Sequence, residues 1–577
     1  MKYIFSCFFC IAIFLNAGAQ SLKASFSPTT VERQKTTGLS NRVIGTSDEH
    51  IYVEAFSLKG RQRSGRITLK MIKKSDLSVA REVLIYDRKN PEEKNLAIAD
   101  YRFTKNRVLV YYYERKYKDT KSLFGRSFDL NLNPTGPVKN LYSLPNSREF
   151  KGIQFLRNYS DDNTRIMVGA EFPAKKGGSP YVDFKMLSDD FSVVNSGKFE
   201  LPIKITSKGA QVSNSNYFLT NSGDIYFFTQ VSVPKEERAN LQKGEDAFYS
   251  TLSYVKTSTS SIQTLPIKFS GKNIFNTYWY NDGENLKGIG FYSDLEDDRT
   301  GDKVLGMFSA RVDLKSFTLS GSEFRRFTKE EVIALSDLNT EKRRDRKKAE
   351  KITDDNASLD PSLQIELYRT DEAGNSYLFC SKMRNYSQTV CTRNSCVTYY
   401  YCNKQNNYVF KVDGAGKLVY SKKFPRNYTY NRWSVYDQRV FYNQGKFFMT
   451  FDTDTDRDST QANMALSRSK RLSVTRNEKL EFLVVDTKTD QVERKFLDFN
   501  APGTPRKKRL TINPLDLQDM GGEFYAVQND YFVPTGTAIL NTVLSVALFP
   551  IYTYLIRPGV RRSAMGSRTQ YVRVFAN

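Results

Sequence analysis

Short runs in which apolar and polar residues alternate recur about seven times along this chain, in copies of roughly 55–65 residues. Each copy reads as an alternating strand, a polar loop, a second strand, a short polar turn and a third strand. The first strands fall at Ile51–Phe56, Arg107–Glu114, Arg165–Phe172, Ile225–Val231, Leu286–Ser293, Ser376–Lys382 and Lys446–Asp452. The second strands centre near Thr68, Leu130, Phe184, Thr251, Ser309, Phe410 and Leu483. Helical periodicity is almost absent. Period-two alternation marks strands with one packed face and one less packed. A regular train of such units predicts an all-β chain, a β-propeller with seven blades as the first reading and eight as the second. The train occupies 45–324 and 362–530, after a lead-in segment 20–44.

Two stretches interrupt the pattern. Arg325 to about Pro361 carries Thr328 ahead of Lys329-Glu330-Glu331, the order of a helix cap followed by an acidic first turn. The basic run Lys342-Arg343-Arg344-Asp345-Arg346-Lys347-Lys348 continues in good helix formers. This predicts a charged helical insertion over 325–361, either an outer solvated helix or a docking element for an anionic partner. From Tyr531 to Ile556 there is no charged residue, and Arg557, Arg561 and Arg562 follow. Asn541, Ser545 and Pro550 weigh against a spanning helix. The segment 531–562 therefore reads as an apolar insertion with a basic end, which packs on the body or touches a membrane surface through 531–556. After it, in 563–577, Thr569–Phe575 alternates as a strand. It is expected to close the ring against the start of the chain, with Phe524–Val527 beside it.

One copy is sharper than the rest. Asp371-Glu372-Ala373-Gly374-Asn375-Ser376-Tyr377-Leu378 is followed by Tyr408 to Tyr420, which contains Lys411-Val412-Asp413-Gly414-Ala415-Gly416-Lys417. Asn221-Ser222-Gly223-Asp224-Ile225-Tyr226 is a degenerate second copy. Gly permits positive φ in such turns, and Asn or Asp hydrogen-bonds its own backbone there. Over about 50 residues this resembles the bacterial seven-bladed propeller repeat of the SBBP type, D-x-x-G-N-x-Y with a later K-x-D-x-x-G turn. The wider arrangement is similar to exported, uncharacterised propeller proteins of the Bacteroidota. That resemblance implies a fold and a compartment, and no catalytic residues.

The N-terminus agrees on compartment. Residues 1–19 have Lys2, the apolar stretch Tyr3 to Leu15 and Ala17-Gly18-Ala19, as a secretory signal peptide does. Cys7 and Cys10 lie inside the apolar stretch, so cleavage before Gln20 and no lipid anchor are expected. The other four cysteines, Cys380, Cys391, Cys396 and Cys402, are confined to one short stretch. In an exported chain they read as two disulfides, and the spacing is unlike that of zinc ligands. The nested option is Cys391–Cys396 at a hairpin tip with Cys380–Cys402 at its base. The net charge of +24 favours anionic partners, but the basic residues are spread along the chain and export excludes nucleic acid. The partners left are an envelope protein, an anionic glycan or a lipid surface.

Candidate chemistry is sparse. His50 is the one histidine of the whole chain, which excludes histidine-rich metal sites and leaves any histidine-dependent dyad a single residue to use. Asp452, Asp454, Asp456 and Asp458 are spaced like the start of a calcium loop. Arg457 stands where the turn wants Gly, and Asn463 where a closing Glu belongs, so calcium is a low expectation and no other cofactor is expected. Asp294, Glu296, Asp297, Asp298 and Asp302 form a similar cluster. Phosphate-binding glycine loops are absent. The chain thus reads as an exported binding or scaffolding propeller of the periplasm or cell surface, without catalysis. The alternative is a carbohydrate hydrolase that uses loop carboxylates without histidine.

Overall fold

The computed structural model describes residues 22–33, 39–59, 62–114, 120–145, 153, 155–160, 162–173, 178–202, 213–232, 248–267, 269, 271–281, 285–294, 303–338, 341–391, 396–430, 438–450, 470–472, 479–500, 510, 512, 517–520, 522–532 and 566–576. The signal peptide, the Asp452–Asp458 run, the 533–562 part of the apolar insertion, and Glu296, Asp297, Asp298 and Asp302 lie outside them.

The described chain is almost entirely β. Seven antiparallel meanders follow one another, numbered here in chain order. Sheet one is Leu39–Thr46, His50–Lys59, Gln62–Lys73 and Val79–Asp87; sheet two is Leu96–Phe103, Arg107–Glu114, Thr120–Asp129 and Lys139–Pro145. Sheet three is Phe155–Tyr159, Arg165–Phe172, Tyr181–Ser188 and Val193–Glu200; sheet four is Ser213–Leu219, Ile225–Ser232, Phe248–Lys256 and Ser261–Ile267. Sheet five is Lys272–Asn281, Asn285–Asp294, Gly306–Asp313 and Thr318–Arg326. Sheet six is Leu363–Thr370, Ser376–Cys391, Cys396–Val412 and Leu418–Tyr430, with Lys470–Leu472 added in parallel. Sheet seven is Arg439–Asn443, Lys446–Thr450, Lys479–Asp486 and Val492–Asp498. A terminal sheet joins the two ends of the chain. Leu22–Phe26 and Thr30–Arg33 both pair with Gly566–Ala576, which pairs with Phe524–Phe532 and through it with Gln518–Asp519.

Each repeat holds four strands where the sequence pattern shows three. The extra strand opens every meander, as in Leu96–Phe103 or Phe155–Tyr159, and its mixed burial hides the alternation. The strands read as first from the pattern are second in space, and their polarity is also different from expectation. In Arg107–Glu114 five consecutive residues, Val108 to Tyr112, are buried. Both faces are covered, because Val108, Val110 and Tyr112 pack against sheet one while Leu109 and Tyr111 pack against sheet three. Apolar clusters of this kind lie between every successive pair of sheets from one to seven. Two more join sheet seven to the terminal sheet and the terminal sheet to sheet one. Sheets that bury one another in cyclic order follow the plan of a β-propeller.

The lead-in 20–44 supplies strands to both the terminal sheet and sheet one. The insertion after sheet five holds two short helices, α1 (Lys329–Leu335) and α2 (Arg343–Ala349). Thr328 caps α1 as expected: its side chain accepts from the Glu331 backbone N–H while Glu331 reaches back. The insertion is less peripheral than its charge implies. Phe327, Val332, Leu335, Ala357 and Leu359 are wedged into the core between sheets five and six.

Candidate functional site

The two central strands of sheet six, of 16 and 17 residues, are the longest among the described residues. They run to Cys391 and from Cys396, and beyond Lys382 and Cys402 they pair, among the described residues, only with each other. The result is a two-stranded arm whose register puts Tyr386 opposite Tyr401, Gln388 opposite Tyr399 and Val390 opposite Val397 on one face. Tyr386, Val390, Val397 and Tyr399 are each 45–49% exposed, and Tyr400 on the other face is 53% exposed. The Tyr386 and Tyr401 rings stack at 5.1 Å. Thr389 and Thr398 share a hydroxyl hydrogen bond of 3.0 Å. No carboxylate occurs from Met383 to Lys404. A Cys391–Cys396 disulfide closes the tip.

The expected base bridge, Cys380–Cys402, does not form. Cys380 is opposite Tyr408, and Cys402 lies six residues further along that strand, opposite Asn385. At the strand rise this is about 20 Å, well beyond the reach of a disulfide. Both cysteines are buried, and burial raises the Cys380 thiol pKa well above its ordinary value.

A cleft of about 460 Å³ opens between sheets five and six. Alternation decides what lines it. On the sheet-five face that looks toward sheet six, Phe291, Ile289 and Met307 join the apolar filling, after which Lys287, Ser309, Arg311 and Glu323 take over. The opposite wall is the Ser376–Val412 pair and the 413–416 turn of the best-matching repeat copy. Among the described residues, Glu323 and Asp413 are the carboxylates on its walls. Asp413 Oδ1 already accepts the Ala415 and Lys417 backbone N–H groups at 3.0 and 2.8 Å.

That use of Asp is general. Asp371 Oδ1 accepts from Ala373 and Asn375, Asp129 from Asn133, Asp162 from Thr164, Asp190 from Ser192 and Asp486 from Lys488 and Thr489. These loop carboxylates are engaged in shaping turns. Asp294, from the second acidic cluster, is paired with Lys272 and lies 3.6 Å from Arg326. His50 begins a strand opposite Lys73. No group of three potential metal ligands occurs among the described residues. No described helix is long and apolar enough to cross a membrane.

Pattern reading missed a buried polar knot beside sheet six. Lys404 Nζ meets Glu366 Oε1 at 2.6 Å with both side chains sealed from solvent, and Gln438 Nε2 donates to the same oxygen at 3.1 Å. Glu366 sits at a register slip between Ile365 and Leu367, and the neighbouring strands slip at Ser381/Lys382 and Gln405/Asn407. The lone signal in the sequence is polarity in positions that should be apolar.

No family model matches this chain, and no curated protein matches it. Among solved structures it is similar to the propeller domain of the Trilobed protease from Pyrococcus furiosus, at 10% identity and TM-score 0.34 over 82% of this chain and 99% of that one. It is also similar to the polysaccharide lyase Uly1, at 10% identity and TM-score 0.33 over 84% and 93%. The WD40 domain of SCAP from fission yeast gives 11% identity and TM-score 0.31 over 95% and 98%. At these identities and scores the likenesses assign neither activity nor ligand to this chain.

Proposed function

We propose that this chain is an exported, eight-bladed propeller that binds or scaffolds a partner protein in the bacterial cell envelope and does no chemistry of its own. Among the described residues, eight sheets linked in cyclic order by eight apolar clusters support the blade number. Each copy of the repeat is one blade, and the two chain ends build the last. A surface disulfide supports an oxidising compartment.

The observation that carries the binding reading is the disulfide-closed arm. Its exposed Tyr, Thr, Ser, Asn and Val surface is of the kind that makes rigid, amphipathic contact with another protein. The strand edges of the ribbon add main-chain groups that an incoming strand can pair with. Calcium at Asp452, Asp454, Asp456 and Asp458, and membrane contact through 531–556, stay subsidiary proposals.

The test is photo-crosslinking in cells from residue 399, with exposed Val193 on the outer strand of sheet three as the control position. A discrete adduct from 399 that is absent from 193, and lost when Tyr400 and Val397 are changed to Ser, is the expected result. Equal labelling from both positions, or none from 399, removes the reading.

A further inference from the structure

The arm shares its end of sheet six with the helical insertion. The insertion enters the sheet at Leu363, opposite Lys382, which is where the arm leaves it. Its carboxylates hold that root. Lys382 Nζ lies 2.7 Å from Asp337 Oδ2 and 3.1 Å from Asp360 Oδ2, and Arg384 pairs with the same Asp360. The Asn406 amide donates to Asp337, the Lys423 ammonium to the Ser336 carbonyl, and the Met383 N–H to the Ser362 carbonyl at 2.8 Å. The arm and the insertion are therefore joined.

The same insertion carries α2. Lys342, at its N-cap, and Arg343, Arg344, Arg346, Lys347 and Lys348 within it are all exposed. None of these six side chains makes an ion pair or a hydrogen bond among the described residues. Arg343 with Lys347, and Arg344 with Lys348, stand four residues apart, and like charges at that spacing oppose helix formation. Acids of the insertion are committed elsewhere: Asp337 and Asp360 hold the arm, and Asp354 accepts the Lys329 N–H at 2.8 Å. An acidic surface laid against α2 removes the repulsion.

We propose that the arm and α2 form one docking platform, and that the protein bound by the arm presents an acidic surface which α2 engages. The inference rests on the reading of the arm as a binding element and adds the chemistry of what it binds. Reach supports a single footprint. Arg343 follows Asp337 by six residues, so α2 begins within about 20 Å of the arm's root. The nine residues from Lys382 to Cys391 extend the arm by about 30 Å. A standard interface of about 800 Å² per partner is itself roughly 30 Å across. The Tyr and Val side chains of the arm supply contact area, while the basic helix steers approach and fixes orientation. A protein fits better than a lipid surface, because α2 buries Ala349 alone and lacks the apolar face with which a helix lies in a membrane.

Photo-crosslinking of the full chain in cells from residue 347, read beside the adduct from residue 399, tests it. Both positions are expected to label the same protein, and mass spectrometry should find the peptides joined to 347 rich in Asp and Glu. Arg343→Glu, Arg344→Glu and Lys348→Glu together should lower the 399 adduct about tenfold, the combined scale of several exposed ion pairs, at an unchanged melting temperature. Reversing the exposed Lys89, Lys105 and Lys315 to Glu changes net charge equally and should leave the adduct as it was. If the triple reversal of α2 lowers the melting temperature, the matching Gln replacements decide in its place, with a several-fold loss expected. A 399 adduct that survives these changes, one lost equally with the distant reversals, or a different protein, a lipid or a glycan labelled from 347 would each overturn the proposal and leave the arm's reading standing. No adduct from 399 in the parent chain would overturn both.

Discussion

The acidic residues that crowd the loops of this chain owe their positions to backbone geometry. A carboxylate that accepts N–H groups two to four residues ahead gives a tight turn without a neighbouring strand to satisfy them. Asp190 shows the consequence for titration. The Ser188 hydroxyl at 2.6 Å, and after it the Ser192 N–H at 2.9 Å, lower its pKa to about 2. Its folded pKa is thus below the unfolded value of about 3.9, so its stabilisation is complete above that pH and is lost as pH falls toward 2. Replacing Asp190 by Ala should cost about 1 kcal/mol at pH 7 and clearly less near pH 2, where the carboxyl is about half protonated, which urea unfolding at both values would measure. Cys380 offers a second residue-scale test. Sealed from solvent and with its pKa raised by burial, it should resist iodoacetamide in the native protein and react once the chain is unfolded, as followed by mass spectrometry. Clustered cysteines were legible as disulfide candidates from spacing alone. Which of them meet was not, because a bulge at Ser381/Lys382 and the length of the ladder set the register.

Among the elements, the arm and the helical insertion both depart from the repeat that surrounds them. The arm extends past the sheet that supports it, so its order depends on its own cross-strand pairs and on the Cys391–Cys396 bond. A bridge across so short a loop contributes at most about 2 kcal/mol by the chain-entropy account. It also lies outside every apolar cluster. Cys391→Ser with Cys396→Ser should therefore leave the global melting temperature nearly unchanged while protease cleavage near the tip accelerates; a large drop in melting temperature would show that the arm is part of the cooperative core. The insertion behaves in the opposite way. Its cap at Thr328 was readable from sequence, as was its charge, yet Val332 and Leu335 fill a gap between two sheets. Pattern analysis assigns a charged helix to the exterior because most of its residues are polar. Two apolar positions on a seven-residue helix are enough to anchor it.

At the scale of the whole molecule, stability depends on joining the two ends. Glu32, on an N-terminal strand, is the hub of that joint. It accepts from the Ser40 N–H at 2.7 Å, the Ser40 hydroxyl at 2.6 Å, Lys70 Nζ at 2.6 Å and the Thr569 hydroxyl at 2.9 Å. The strands involved belong to the terminal sheet and to sheet one, and the side chains of Glu32 and Lys70 are 6% and 3% exposed. A buried pair contributes modestly as a pair, but removing one partner leaves an uncompensated charge. Lys70→Met should cost about 3–5 kcal/mol in denaturant unfolding, whereas changing the exposed Lys198, paired with Asp183 at 3.5 Å, should cost less than about 1 kcal/mol. If both substitutions cost the same, the joint is not where the fold is held.

The alternation of apolar residues determined, without any coordinates, that this chain is built of strands, where most of their central members lie and that the C-terminal strand would meet the start of the chain. Those features are local, since a strand buried on its faces must carry apolar side chains wherever it ends up. The edge strand of each sheet, the failure of Cys380 to meet Cys402, and the polar cleft beside Arg311 were settled only by tertiary structure. Each depends on register or on contacts between segments far apart in the chain, and a one-residue slip redirects every side chain without changing the pattern that a sequence displays.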